Sequence, residues 1–301
     1  ISEECWRMEG SRMFIKEGTE VSVSELLKGM IIQSGNDASC ALAEKIAGSQ
    51  SAFADLMNSY AEQLGLENTN FVNPTGLPDI NHYSTANDIA KLSIRLIEDF
   101  PDNYALFKEK EYTFNNIRQL NRNSLLWQDD SIDGIKTGHT NDSGYCLVAS
   151  AERDEMRLIA VTLDSTSEKT RLQDSRRLLD YGFRFFKTKK LLSSFQEISS
   201  VDVWAGTNEK VFVGPKEGIY STLTKPQFKN LEMIVSKNLG TTAPIEKGDA
   251  LDRLDIVINN DVIASFDLVA LESINTEGYI WPYIESFAFY IYSFFMQDEV
   301  Q

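Results

Sequence analysis

The chain has 301 residues, 42% hydrophobic and 25% charged, which suits a folded globular protein of two domains or one large one, with a sizeable core. Its formal net charge of −16 and its lack of any basic run exclude a nucleic-acid partner, because such binding rests on Lys and Arg contacts to phosphates. Cys5, Cys40 and Cys146 show no C-x-x-C spacing and suggest neither a zinc site nor a disulfide framework; with two histidines, His82 and His139, and no H-E-x-x-H, no metal and no cofactor is expected.

Residues 22–64 read as helical. Ser22 and Glu25 can form a capping box, and Leu26, Leu27, Met30 and Ile31 follow on one apolar face. Ser34-Gly35-Asn36-Asp37 interrupts that pattern, and a second helix restarts through Ala38, Leu42 and Ile46. After Gly48 and Ser49, the residues Phe53, Leu56, Met57, Tyr60, Ala61 and Leu64 recur at helical spacing, and Gly65 closes the helix. Asn73 to His82 is loop-like. Thr85 and Asp88 suit the start of another helix that ends near Pro101.

From about Ile132 the pattern turns to strands. Tyr145–Ala151 and Met156–Leu163, with Arg153-Asp154-Glu155 between them, predict a β-hairpin, and a helix is predicted from about Glu168 to Phe186. Helices, then strands, then a helix make an α+β domain. Beyond Lys190, short β-rich runs alternate with Gly, Asn, Asp and Pro, which predicts a separate small all-β domain. The segment Trp281–Met296 is aromatic and apolar, yet shorter than the ~20 residues that span a bilayer. It predicts an interfacial amphipathic helix; the competing possibility is a helix docked on a core or a partner.

Two short motifs carry chemistry. Ser34-Gly35-Asn36 lies between two helices, and Lys136-Thr137-Gly138 opens a strand. Penicillin-recognising serine enzymes combine an S-x-x-K nucleophile with an S-x-N element and a K-T-G strand. A serine working without histidine needs a lysine base. The S-x-N serine can relay protons to the leaving group, and its asparagine can hold the substrate amide. The K-T-G lysine adds positive charge, its threonine can hydrogen-bond a carboxylate, and its glycine keeps the strand edge open to an extended peptide. Taken singly, one motif is equally a helix–helix loop and the other a solvated strand start. Their order and contexts make the pair more specific.

Longer stretches carry a resemblance. "LLKGMIIQSGNDASCALAEKIAGSQSAFADLMNSYAEQLGLENTNF", "YALFKEKEYTFNNIRQLNRNSLLW" and "IDGIKTGHTNDSGYCLVASAERDEMRLIAV" resemble the low-molecular-mass penicillin-binding proteins of the five and six type. "LLDYGFRFF" is similar to the end of their catalytic domain, and "APIEKGD" to their β domain. The resemblance implies a serine-type D-alanyl-D-alanine carboxypeptidase that removes the terminal D-alanine from peptidoglycan pentapeptide stems through an acyl-enzyme. It also implies acylation by β-lactams and a place in the periplasm, on the outer face of the inner membrane. Ser34, Asn36 and Lys136 then fall on catalytic positions. Thr137, Gly138, His139, Arg122 and Arg171 fall on substrate-binding positions, the two arginines suiting a terminal carboxylate. His82 reads as a loop residue.

The implied architecture is a β-lactamase-like catalytic domain over 1–186, incomplete at its N-terminus, a β-sandwich-like domain over 187–277, and an amphipathic membrane-anchoring helix over 278–301. No S-x-x-K occurs in the sequence, and the T-x-x-K at Thr166–Lys169 and Thr222–Lys225 lie on the wrong side of the motifs. The chain, which starts at Ile1, is therefore expected to lack the nucleophile and the first strands, and to be inactive alone. The terminal segment lacks Lys and Arg, which weakens its attraction to anionic lipid. A catalytically silent peptidoglycan-binding protein of the same fold is the alternative. A class A β-lactamase is a weaker one, since the Gly76–Ser84 loop holds no glutamate for deacylation.

Overall fold

Polar caps start the helices, and the computed structural model describes them over residues 1–236, 238–277 and Ala288. The segment 278–301, expected as the membrane-anchoring helix, therefore lies outside the described residues apart from Ala288. Among the described residues no helix is long and apolar enough to cross a membrane. The chain divides into two compact units between Arg184 and Phe185.

The first unit opens with α1 (Glu3–Trp6), α2 (Val23–Gln33), α3 (Asn36–Ala47), α4 (Gln50–Gln63), α5 (Ala86–Asp99) and α6 (Pro101–Tyr104). The Ser22–Glu25 capping box of α2 is present, and Ser49 and Thr85 cap α4 and α5 through their side-chain oxygens. The helix α3 is the central one: every residue from Asn36 to Ala43 is buried. Its small side chains, Ala38, Ser39, Ala41 and Ala43, let neighbours approach closely. On α2, a Cβ at Gly29 would stand 2.2 Å from Met13 Sδ, so only glycine admits the chain there.

Cys5 of α1 and Cys40 of α3 form a disulfide with their Cα atoms 5.3 Å apart, and both are buried. This corrects the expectation of no disulfide. The partners are 35 residues apart, and the packing of α1 on α3, which no local spacing reveals, brings them together.

A hairpin, β1 (Glu111–Phe114) with β2 (Ile117–Leu120), falls in a stretch without a clear sequence signal. Then β3 (Ile132–Thr140), β4 (Gly144–Arg153) and β5 (Met156–Ser165) form an antiparallel sheet in that order. The predicted hairpin is β4–β5. Its turn residues Asp154 and Glu155 have φ of 47° and 63°, as a tight two-residue turn requires. The helix α7 (Glu168–Phe185) packs Leu179 into a cluster with Leu125, Leu126, Leu147, Ala149 and Ala160. The first unit is thus the expected α+β arrangement.

The second unit contains β6 (Phe186–Leu192), β7 (Ser199–Trp204), β8 (Lys210–Pro215), β9 (Ile219–Thr224), the short helix α8 (Lys225–Lys229), β10 (Leu231–Val235), β11 (Thr241–Thr242), β12 (Ala250–Ile258) and β13 (Asp261–Ala270). Six strands form one sheet in the order β10-β12-β13-β8-β7-β11, and β6 pairs with β9 as a separate ribbon. Val201, Val211, Val213, Leu254, Ile256 and Leu268 fill its core. The β-rich runs of the sequence, at 201–204, 210–213, 232–235, 254–258 and 262–268, correspond to β7, β8, β10, β12 and β13. Three lysines weaken the strand signal of β6, the first strand of the β6–β9 ribbon.

Removing the bridge with Cys5→Ser and Cys40→Ser together should cost about 2–4 kcal/mol, as expected for a closed loop of this length. The measurement is the urea midpoint of the first unit's transition. An unchanged midpoint would rule out the bridge as a stabiliser.

Candidate active site

The break between α2 and α3 is built by backbone geometry. Ser34 ends α2 in the left-handed region at φ 61°, a conformation that costs a non-glycine residue on the order of 1 kcal/mol. Gly35 N–H donates to the Gly29 carbonyl at 3.1 Å and Asn36 N–H donates to the Ser11 carbonyl at 2.8 Å, holding the turn from both sides. The buried Asp37 carboxylate then accepts from the backbone N–H groups of Met13, Phe14 and Ile15 at 2.9, 2.9 and 3.2 Å, and from Ala38 at 2.9 Å. One carboxylate thereby fixes the 13–15 segment against the start of α3. Asn36 Nδ2 donates to the Glu9 carbonyl at 2.7 Å, which orients the amide and leaves its oxygen as the acceptor.

The strand β3 supplies the second wall. It is the outer strand of its sheet, with Thr137 opposite Leu147 and Gly138 opposite Cys146, and among the described residues no strand pairs with its other edge. Behind it, Arg157 holds Asp133 at 2.7 Å, and Tyr104 Oη donates to the same carboxylate at 2.8 Å. Burial pushes the Tyr104 phenol well above its ordinary range, so it stays a neutral donor. Asn123, almost fully buried, donates from Nδ2 to the Gly134 carbonyl at 2.9 Å and ties β3 to the Asn121–Asn123 loop.

Ser34, Asn36, Lys136, Thr137, Gly138, His139, Arg122 and Arg171 all line one cavity of about 1150 Å³. Lys136 Nζ donates to Ser34 Oγ across 102 residues of sequence, and to the Thr137 carbonyl at 3.2 Å. Loss of water around the ammonium, then the charges of Arg122 and Arg171, pull Lys136 down to about 8. Arg122 Nε donates to the Gln33 carbonyl at 3.1 Å, at the end of α2. Arg171 projects from the first turn of α7, with its guanidinium 5.7 Å from the Tyr145 ring. The His139 ring lies tilted by 34° against the Tyr145 ring, with 4.0 Å between centroids.

His82 lies away from this cavity, where its Nδ1 accepts from Val72 N–H at 3.4 Å. Its pKa is lowered chiefly by burial. Tyr145 and Glu168 line the cavity, and Asp37, Asn123 and Asp133 brace its walls; the sequence motifs mark none of the five. Asp37 directly after the S-x-N motif and the Asn-x-Asn spacing are the signals that could have found two of them. The metal-ligand types that gather among the described residues are Cys5, Cys40 and Glu44, and the two cysteines are joined to each other.

Chemically, the ammonium beside Ser34 polarises a hydroxyl that can pass its proton onward. Asn36 offers an oriented acceptor, and Thr137, Arg122 and Arg171 offer donors for an anion.

Residues 1–167 match the family described as D-alanyl-D-alanine carboxypeptidase, and residues 186–276 match the penicillin-binding protein 5 C-terminal domain. The D-alanyl-D-alanine carboxypeptidase DacC of Escherichia coli is 43% identical over 295 residues, covering 94% of this chain and 74% of that protein. DacF of Bacillus subtilis is 36% identical, covering 93% of this chain and 73% of its own. Among solved structures, penicillin binding protein 5 from Haemophilus influenzae aligns with a TM-score of 0.83 at 39% identity, over 91% of this chain and 82% of that one.

The Lys136 environment has a direct readout. After reductive methylation with ¹³C-formaldehyde, its NMR resonance should titrate with a midpoint near 8. Because the folded value lies below the unfolded one, the burden on stability is full below about 8 and fades as pH rises toward the ordinary lysine value. A midpoint in the ordinary lysine range would show a hydrated ammonium.

Proposed function

The chain belongs to the family of serine-type D-alanyl-D-alanine carboxypeptidases, penicillin-binding hydrolases of the bacterial cell wall, and we propose how its residues divide the work of that family. The attacking serine of this family stands in an S-x-x-K motif, which residues 1–301 do not contain. The residues of the cavity are the partners of that group.

In this proposal the substrate is the D-Ala-D-Ala end of a peptidoglycan stem peptide, and β-lactams acylate the same site. The peptide lies extended along the open edge of β3. Its terminal carboxylate meets Thr137 and Arg171, with Arg122 and Lys136 adding positive field. Asn36 accepts from the substrate's amide N–H through its fixed oxygen. Gly138 leaves room for the peptide backbone, and His139 borders the leaving D-alanine. As the acyl-enzyme forms, Ser34 passes a proton to the departing amine, and Lys136 beside it keeps the hydroxyl oriented and stabilises developing negative charge. The single observation that supports this most is the Lys136–Ser34 hydrogen bond between the K-T-G and S-x-N motifs.

We also propose residues 1–186 as the catalytic domain, 187–277 as a β-sandwich-like support, and 278–301 as an amphipathic helix that attaches the enzyme to the outer face of the inner membrane. The Cys5–Cys40 disulfide fits an oxidising compartment such as the periplasm. The aromatic run Trp281–Met296 fits the headgroup region of a bilayer.

Two measurements test these assignments in protein expressed from its whole gene. Lys136→Ala should lower both D-alanine release and acylation by a fluorescent penicillin by about 10²-fold or more, the scale of losing a preorganised charge. Its thermal midpoint should not fall, because a poorly hydrated ammonium is removed; unchanged rates would take Lys136 out of the site. Deleting residues 279–301 should move the protein from the membrane pellet to the soluble fraction with its activity kept. Persistence in the pellet would refute the anchor.

A further inference from the structure

We propose that Glu168 is a specificity-determining residue, a carboxylate in the cavity wall that occupies the Arg171 guanidinium in the free enzyme and gives way to the substrate's terminal carboxylate. This rests on the carboxypeptidase assignment above and adds a competitor built into the same site.

The guanidinium of Arg171 is short of partners. Its side chain is only 5% exposed, yet Nε is buried with no hydrogen-bond partner among the described residues, and Nη1 reaches the Cys146 carbonyl only at 3.4 Å. Its charged contact among those residues is Nη2 to Glu168 Oε1 at 3.1 Å. A guanidinium has five N–H donors in a planar fork, so this one retains donors for a second carboxylate. Tyr145 lies against it, and its burial keeps it from turning away.

Glu168 is bound far more loosely. Its side chain is 59% exposed, and it is the first residue of α7, three positions before Arg171. The pair is therefore open to water and to salt on its Glu168 side, while its Arg171 side is buried. On release, Glu168 keeps the favourable field of the α7 N-terminus, which offsets part of the cost of leaving the guanidinium. The arginine is therefore the fixed partner and the glutamate the exchangeable one.

Charge around the cavity makes the exchange consequential. The chain has 45 acidic and 29 basic residues, but the described residues lining the cavity include three cations, Lys136, Arg122 and Arg171, and one acid, Glu168. Among the described lining residues, a substrate carboxylate entering this field is attracted by the three cations and repelled by Glu168. Two carboxylates on one guanidinium repel each other, so Glu168 raises the KM of substrates that end in a free carboxylate. It also discriminates against weak anions, because a ligand must outcompete it.

The test uses steady-state kinetics on protein from the whole gene, comparing the native enzyme with Glu168→Gln and, as a second variant, Glu168→Ser. KM for a D-Ala-D-Ala peptide should fall about fivefold, the scale of removing one like charge near a surface-open anion, with kcat moving less than twofold. Raising salt should narrow the difference. The inhibition constant of the same peptide with a C-terminal amide should not respond to the substitution. If KM rises in both folded variants, Glu168 positions Arg171 rather than competing for it, and the proposal is overturned; unchanged KM overturns it as well. Failure of the native protein to release D-alanine would instead sink the carboxypeptidase assignment.

Discussion

The hydrogen bond from Lys136 to Ser34 is the constraint that joins the break between α2 and α3 to strand β3. It holds an ammonium against a hydroxyl in a partly buried space, and neither group can reach the other through local structure. Both approaches are braced by buried polar groups. On the helix side, Asp37 collects four backbone N–H groups and sets where α3 begins. On the strand side, Asp133, Arg157 and Tyr104 hold β3 from behind, while Asn123 grips the Gly134 carbonyl. Each brace is an engaged hydrogen-bond acceptor or donor, which is what keeps it rigid.

The same enclosure explains the electrostatics. Burial alone makes Lys136 easier to deprotonate, and the neighbouring guanidinium charges add to this. A cavity that gathers cations at a cost to stability is suited to an anion. Most of the protein's surplus acid lies elsewhere on the chain, so the cavity is a local reversal of the overall charge. That reversal favours an anionic ligand.

Stability is supplied by means suited to an enzyme of the bacterial cell wall. The Cys5–Cys40 bridge ties α1 to the central helix, and the segment that follows α1 returns to α3 through Glu9, Ser11 and Met13 to Ile15. The loop that carries Gly10 and Ser11 is thus anchored on both flanks, and both residues line the cavity. The bridge and the Asp37 contacts act on the same piece of backbone, so loosening one should be felt by the other.

Elements whose signals are local could be read directly from the order of residues. The Ser22–Glu25 capping box, the Thr85 cap, the β4–β5 hairpin and most strands of the second unit follow from caps, turn residues and hydrophobic period. The S-x-N and K-T-G motifs were legible because their residue types and order suit one chemistry, and their neighbours resemble one family. Which groups meet was settled by the folded chain alone. Folding paired Cys5 with Cys40, turned Asp37 inward to bind a segment 22–24 residues away, and set Glu168 on Arg171. It also left the polar ribbon β6–β9 and the hairpin β1–β2 to be stabilised by pairing that no periodicity announced. The physical reason is that caps and periods are energies of neighbours along the chain, whereas a bridge, a buried carboxylate and a charge-lined cavity are energies of distant residues, set by the packing that brings them together.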